Sequence, residues 1–169
     1  MSQKTITAHT LQLVTFRTTL PTSEVISRLD KELGKHTTPG VSGLQQSTSS
    51  KENFEAYLNS AAGPSGFLYF NEFNHGAWMQ LFSSPSKGVV YVIGNPLIAE
   101  TMLRHDMQAG LNIPPRLMIL EKKDGQGTEV VYHLPSSVIA LGDDQSLRDA
   151  AEALDRKIEQ LVERIAAAV

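Results

Sequence analysis

The sequence predicts a two-layer α+β fold, a mostly antiparallel sheet of about five or six strands with helices packed on one face. Apolar stretches of strand length recur along the chain, and two of them form a clear hairpin over residues 117–132. A long amphipathic helix follows over about residues 146–167. The 169 residues are 41% hydrophobic and 20% charged, which is the composition of an ordinary globular protein.

The first part of the chain predicts a strand followed by a helix. Residues 10–18 are rich in β-branched and apolar side chains, which favours a strand. Pro21 ends that strand, and apolar residues at helical spacing from Val25 to Leu33 predict an amphipathic helix that stops near Gly34.

A polar loop and a short helix are predicted next. Residues 36–50 are rich in Ser, Thr, Gly and Pro, which is typical of a loop. Ser49 and Glu52 have the spacing of a capping box and predict a helix over about residues 50–61. The aromatic residues 67–73 then predict a strand.

The middle of the chain predicts two more strands and a helix. Residues 74–76 (Asn-His-Gly) predict a turn, because Asn and Gly adopt positive φ at low cost, and residues 78–82 predict the return strand. The continuous apolar residues 89–93 predict a central strand, and Pro96 opens a helix over about residues 96–105.

The last part of the chain predicts a hairpin and a long helix. Residues 117–121 and 128–132 pair across a Gly-containing turn, and both faces of these strands are apolar, so they need a second cover that a partner chain could supply. The apolar spacing of residues 146–167 also suits a coiled-coil seam, but packing on the sheet is the favoured interpretation. No repeat or long linker interrupts residues 1–169, which predicts a single domain.

Charge and composition exclude several classes of protein. The net charge of −3 argues against nucleic acid and anionic membranes as partners. The absence of cysteine excludes disulfides, thiolate catalysis and cysteine zinc sites. No apolar run is long enough to span a bilayer and the N-terminus does not look like a secretory signal, so we expect a cytoplasmic protein.

Four short motifs, in this order and spacing, resemble the domain-of-unknown-function family 302. The motifs are residues 73–76 (Phe-Asn-His-Gly), Gly94-Asn95-Pro96, residues 106–114 with the ending Asn-Ile-Pro, and residues 132–135 (Tyr-His-Leu-Pro). The resemblance implies a TATA-binding-protein-like α+β fold, with a family-like core over about residues 10–142 and a tendency to form dimers. It implies no particular chemistry.

The motifs depart from the family pattern at two places. The family has Asp where this chain has Asn74, and its Tyr-Asn-Asp-Pro is Tyr-His-Leu-Pro at residues 132–135. An acid–base role of that Asp is therefore not carried over to Asn74.

The leading functional hypothesis is that the domain binds a small, largely apolar molecule in a pocket between sheet and helix. Seven of the eleven aromatic residues lie between residues 67 and 91, and apolar pockets are often lined by aromatic rings. The alternative is that these rings are ordinary side chains of the hydrophobic core. The predicted ligand-binding residues are Tyr69, Asn71, Phe73, Asn74, Trp78 and Asn95.

An alternative hypothesis is a cofactor-free acid–base enzyme, an isomerase, cyclase or hydrolase. His75 would be the catalytic group together with Glu72 or Asn71, because a histidine beside a carboxylate titrates near neutral pH. A turn histidine bonded to the loop backbone is the favoured interpretation of His75. Glu72 and His75 alone are too few ligands for a stable zinc site, so no metal and no cofactor are predicted.

Two further interpretations concern structure and assembly. Asn95 stands where a strand meets a helix, which favours a role in the turn and the helix cap over anion binding. A third hypothesis is a homodimeric interaction module, in which the C-terminal helix docks another chain.

Overall fold

A five-stranded antiparallel sheet is the centre of the fold, and its strands lie side by side in the order first, fifth, fourth, third and second along the chain. A computed structural model describes residues 1–38, 41, 50–82 and 87–168. The strands are β1 Leu13–Thr18, β2 Leu68–Asn74, β3 Gly88–Gly94, β4 Arg116–Glu121 and β5 Thr128–His133. The predicted α+β class, the antiparallel sheet and the long C-terminal helix are confirmed.

The helices occupy the connections between strands and the end of the chain. They are α1 Thr22–Glu32, α2 Lys51–Ala61, α3 His75–Met79, α4 Pro96–Leu103, α5 Pro135–Ile139 and α6 Gln145–Ala166. Short 3-10 turns cover Gln80–Phe82 and Met107–Asn112. None of the helices in the described part of the chain is long and apolar enough to cross a membrane.

The prediction of a return strand over residues 78–82 is wrong, because this segment is helical. The Asn74 side chain accepts a hydrogen bond from the Ala77 N–H at 2.9 Å and thereby caps α3. This local cap outweighs the β-propensity of the aromatic side chains that follow. The antiparallel partner of β2 is β3 instead, with Phe73 opposite Val90.

The α2 cap differs from the predicted one. Ser50, not Ser49, begins the helix, and its hydroxyl accepts from the Asn53 N–H at 3.1 Å. Ser49 and most of the predicted loop around it lie outside the described residues. Leu58 and Ala61 of α2 are buried against Leu68 in a small second core cluster.

The long C-terminal helix α6 is part of the main core. Asp144 caps it by accepting from the Leu147 N–H at 2.9 Å. Its apolar stripe packs in the same cluster as buried residues of the sheet, which confirms packing on the sheet over a free coiled-coil seam. The buried residues of α6 are Leu147, Ala151, Leu154, Ile158, Leu161, Val162 and Ile165.

The two faces of the sheet are covered differently. One face packs against the helices and carries buried side chains such as Tyr91, Leu117 and Val130. On the other face, half-buried side chains including Met118 and Val131 belong to neither core cluster. We call this second face the open face.

Candidate functional site

An apolar cavity of about 200 Å³ lies between the end of the sheet and helices α4 and α6. Its wall is almost entirely carbon. The volume is comparable with the roughly 150 Å³ apolar cavities that take up benzene. The lining residues are Phe67, Phe70, Gly94, Asn95, Pro96, Ile98, Ala99, Met102, Ile113, Pro114, Pro115 and Leu154.

The Gly94-Asn95-Pro96 motif forms one wall of the cavity, where β3 ends and α4 begins. The Asn95 Oδ1 atom accepts from the Leu97 N–H, and its Nδ2 donates to the Gly66 carbonyl oxygen, both at 2.9 Å. These bonds hold the helix start and support the structural interpretation of Asn95. A Cβ at Gly94 would lie 3.2 Å from the Pro114 Cβ, so glycine lets the two walls approach closely.

The second wall comes from the Asn-Ile-Pro motif that precedes β4. The Ile113–Pro114 peptide bond is cis, and the Asn112 Nδ2 atom donates to the Val138 carbonyl oxygen at 2.8 Å. This bond ties the segment to α5 from outside the cavity. Two of the motifs that carry the family resemblance therefore line one hollow, and side chains of α4 and α6 complete it.

The cavity has no ionisable side chain in its lining. Its one polar side chain, Asn95, already uses an oxygen and a nitrogen atom in local hydrogen bonds. A charged ligand would lose its hydration here without a compensating partner, which costs several kcal/mol or more. The site therefore favours a neutral, mostly hydrocarbon molecule.

Of the six predicted ligand-binding residues, only Asn95 lines this cavity. Asn74 caps α3, while Phe73 and Trp78 are each about half exposed, at 50% and 49%. Sequence analysis included Phe67 and Phe70 in the aromatic segment but missed the walls from α4 and α6 and from residues 113–115. The resemblance motifs contained a signal for the walls at the start of α4 and at residues 113–114, but none for the wall from α6.

Strict alternation along β2 would place Tyr69, Asn71 and Phe73 on one face of the sheet, but β2 contains a bulge at Phe70. In the pairing with β3 the register shifts between Tyr69 and Asn71. After this extra residue the alternation of side chains is reversed. Tyr69 and Glu72 consequently share the helix-covered face, and Asn71 and Phe73 lie on the open face.

A second feature of the molecule is a charged cluster that joins α1 to the sheet. The Lys35 Nζ atom lies 2.8 Å from Glu72 Oε2 and 3.5 Å from Asp30 Oδ1. It also lies 5.0 Å and 5.3 Å from the ring centroids of Tyr69 and Tyr91. The Tyr91 hydroxyl donates to Asp30 Oδ1 at 2.8 Å. Sequence analysis missed Lys35 and Asp30, because nothing local shows that they meet β2 and β3.

The pKa shifts in this cluster favour a charged Lys35 and neutral Tyr69 and Tyr91 side chains. Burial alone would lower the pKa of Lys35, but the hydrogen bond to Glu72 and the charges of Asp30 and Glu72 raise it above the ordinary value. Burial, the bond to Asp30 and nearby negative charge raise the pKa of Tyr91. Burial and the charge of Glu72 likewise raise the pKa of Tyr69. A group that transfers protons in catalysis needs a pKa nearer neutrality, so these pKa shifts favour a structural role for the charged cluster.

We expect Tyr91→Phe to destabilise the protein by about 1–2 kcal/mol at pH 8, because Asp30 loses a hydrogen bond. Tyr69→Phe should cost less, since none of the described hydrogen bonds involves its hydroxyl. The loss in Tyr91→Phe should shrink above about pH 10. The folded-state pKa of Tyr91 is raised, so its contribution is complete below the unfolded pKa and falls as pH rises beyond it. Urea unfolding between pH 8 and pH 11 tests this, and a loss that grows with pH would contradict it.

His75 and Glu72 are not paired in the structure. The Glu72 carboxylate bonds Lys35, and the exposed His75 ring packs edge-to-face on Trp78 with centroids 5.9 Å apart. Among the described residues, no carboxylate lies within ion-pair distance of His75, and no three His, Asp or Glu side chains converge as metal ligands. The catalytic hypothesis for His75 with Glu72 or Asn71 stays a prediction.

Comparisons with known proteins identify the family of this sequence and a solved structure with a similar fold. The profile of the family described as "Domain of unknown function DUF302" matches residues 45–165, a range that contains the whole cavity lining, α2 and all of α6 except Ala166. A crystal structure of an uncharacterized conserved protein DUF302 from Bacillus stearothermophilus is similar, with a TM-score of 0.64. Its sequence is 16% identical, and the likeness covers 90% of this chain and 97% of that one, which shows a shared fold. No curated protein matches the chain.

Proposed function

The chain belongs to the DUF302 family, and from that premise we propose that it binds a small, largely apolar molecule in the cavity between the end of the sheet and helices α4 and α6. One observation carries the proposal. The Gly94-Asn95-Pro96 motif and residues Ile113 and Pro114 of the Asn-Ile-Pro motif, which are separated along the chain, line the same hydrocarbon-walled hollow.

The size of the cavity limits the ligand. A volume of about 200 Å³ is below the roughly 300–1,000 Å³ of sites for drug-sized molecules. A single or fused ring, or a short branched chain, suits it. Since the lining has no ionisable group, any polar group of the ligand would face the mouth of the cavity or a backbone group.

The test uses binding and a variant that fills the cavity. Ala99 lines the cavity from α4, so Ala99→Leu places three additional carbon atoms in it. A thermal-shift panel of toluene, indole, naphthalene, p-cresol and isoamyl alcohol should contain at least one compound that raises the Tm of the wild type by about 5 °C near saturation. Ala99→Leu should weaken binding of that compound at least about tenfold.

The matched control is Thr101→Leu, which introduces the same side chain on the same helix at an exposed position. It should leave binding unchanged. Unliganded Ala99→Leu should unfold within about 1–3 kcal/mol of the wild type, as expected for added core volume. Equal binding by wild type and Ala99→Leu would place the ligand elsewhere, and no shift with any compound would contradict the proposal.

A further inference from the structure

We propose that a small cleft at one end of the sheet binds the carboxylate group of a short-chain monocarboxylic acid through Arg116 and His133. The proposal does not depend on ligand binding in the apolar cavity. The cleft and the cavity share only Pro114 and Pro115, and neither Arg116 nor His133 lines the cavity.

The cleft lies at the end of the sheet where β4 and β5 are no longer paired with each other. Their pairing begins two residues inside both strands. Each strand nevertheless stays paired with its outer neighbour at this end, since Arg116 lies opposite Val92 of β3 and His133 lies opposite Leu13 of β1. Strand alternation places both side chains on the open face. The two nitrogen-bearing side chains therefore stand on either side of one opening in the sheet.

The walls of the cleft are fixed by hydrogen bonds from neighbouring segments. The Asn112 Nδ2 atom donates to the Val138 carbonyl oxygen, and the Leu134 N–H donates to the Gln12 carbonyl oxygen, both at 2.8 Å. The cleft has a volume of about 40 Å³ and no carboxylate in its lining. The lining residues are Leu111, Asn112, Pro114, Pro115, Arg116, His133, Pro135 and Val138.

Arg116 and His133 have no countercharge within the described part of the chain. Both side chains are exposed, and none of the ion pairs or side-chain hydrogen bonds among the described residues involves either of them. Four other arginines, by contrast, each form an ion pair with a glutamate. An arginine beside a histidine, with no carboxylate in the same cleft, creates a local positive potential that attracts an anion.

The size of the cleft and the chemistry of arginine select a carboxylate among the small anions. One water-sized atom needs about 10–15 Å³ of such a volume, so about 40 Å³ holds roughly three of them. This matches the three heavy atoms of a carboxylate group and is too small for a phosphate. The Arg116 guanidinium can donate two parallel N–H bonds to the two carboxylate oxygens, and a protonated ring nitrogen of His133 is a further donor.

The rim of the cleft selects the rest of the ligand. Leu111 is 89% exposed, and Val138 lines the cleft with it. A short alkyl tail attached to the carboxylate can cover this carbon surface and remove it from water. The ligand that fits both parts is a monocarboxylate with a short apolar tail, for which butyrate is a suitable probe.

The experiment is an NMR titration of the full chain with sodium butyrate at constant ionic strength, followed at the Arg116 Nε–H and His133 imidazole signals. Butyrate should give saturable shifts with a Kd of about 1 mM. Butyramide has the same tail without the charge and should bind at least about tenfold more weakly, as should inorganic phosphate. Equal binding of butyramide or of phosphate would contradict a carboxylate site.

Variants of Arg116 test the proposed contact, followed at the His133 signal. Arg116→Gln should weaken butyrate binding at least about tenfold. Arg116→Lys should recover only part of this loss, because an ammonium group does not form the paired bonds. The control is Arg156→Gln, which removes the same charge at an exposed position of α6 and should leave binding unchanged. Circular dichroism confirms that each variant is folded.

Unchanged binding by Arg116→Gln, or an equal loss in Arg156→Gln, would overturn the proposal. Ala99→Leu should bind butyrate as the wild type does, and a loss in this variant would assign the acid to the cavity instead. The compounds in the thermal-shift panel for the cavity are neutral, so failure of the cleft and failure of the cavity are separate results.

Discussion

Replacing Ile158 with aspartate is expected to unfold most of the protein at 25 °C. Ile158 is 0% exposed at the centre of α6, within the cluster that joins this helix to the sheet. Aspartate at this position removes a large apolar side chain and buries a carboxylate without a partner. The combined loss is about 4 kcal/mol or more, against a total stability of about 5–15 kcal/mol for a typical domain.

The matched variant Gln160→Asp introduces the same side chain two positions away, where the helix is exposed. It should cost less than about 1 kcal/mol, mainly through helix propensity. Urea denaturation followed by circular dichroism measures both variants. If Ile158→Asp retained nearly wild-type stability, α6 would not be an essential part of the core, and its apolar stripe would be available to another chain.

Replacing Gly63 with alanine is the second change from which we expect a large effect. An added Cβ would lie 2.3 Å from the Glu32 carbonyl oxygen, 2.4 Å from the Leu33 carbonyl carbon and 2.5 Å from the Gly34 nitrogen. All three are backbone atoms, so no side-chain rotation relieves the overlap. The segment after α2 would have to separate from the end of α1, at an expected cost of about 3 kcal/mol or more.

Gly63→Ala should also disturb the wall of the cavity. The Gly63 N–H donates to the Phe67 carbonyl oxygen at 2.9 Å and so fixes the residue that begins the cavity wall. Gly142→Ala is the control, because a Cβ there meets no atom within 4 Å, and it should change stability by less than about 0.5 kcal/mol. Equal unfolding midpoints for the two alanine variants would contradict the close approach at Gly63.

The elements predicted correctly are those with a strong local signal. The spacing of apolar residues along α6 and the Gly-containing turn between β4 and β5 each determine their structure within a short stretch. The error at residues 78–82 has a local cause, since the Asn74 cap outweighs aromatic β-propensity. The bulge at Phe70 has no comparable signature, because it depends on the pairing of β2 with β3.

The candidate site was only partly predictable because its walls are distant in sequence. Phe67, Met102 and Leu154 meet only when β2, α4 and α6 are packed together. Short motifs marked two of the walls, but no periodicity shows that they face one another. The charged cluster could not be predicted for the same reason, because Lys35 lies just after α1 and contacts Glu72 of β2, which is distant in sequence.

The most direct test of the cavity as a ligand site is a crystal structure of the protein purified from its native source without denaturation or ligand exchange. We predict connected density of about ring size between Phe70 and Met102, together with a bound molecule detected by mass spectrometry of the same sample. Density filled only by the protein's own side chains, with no small molecule released on denaturation, would contradict it.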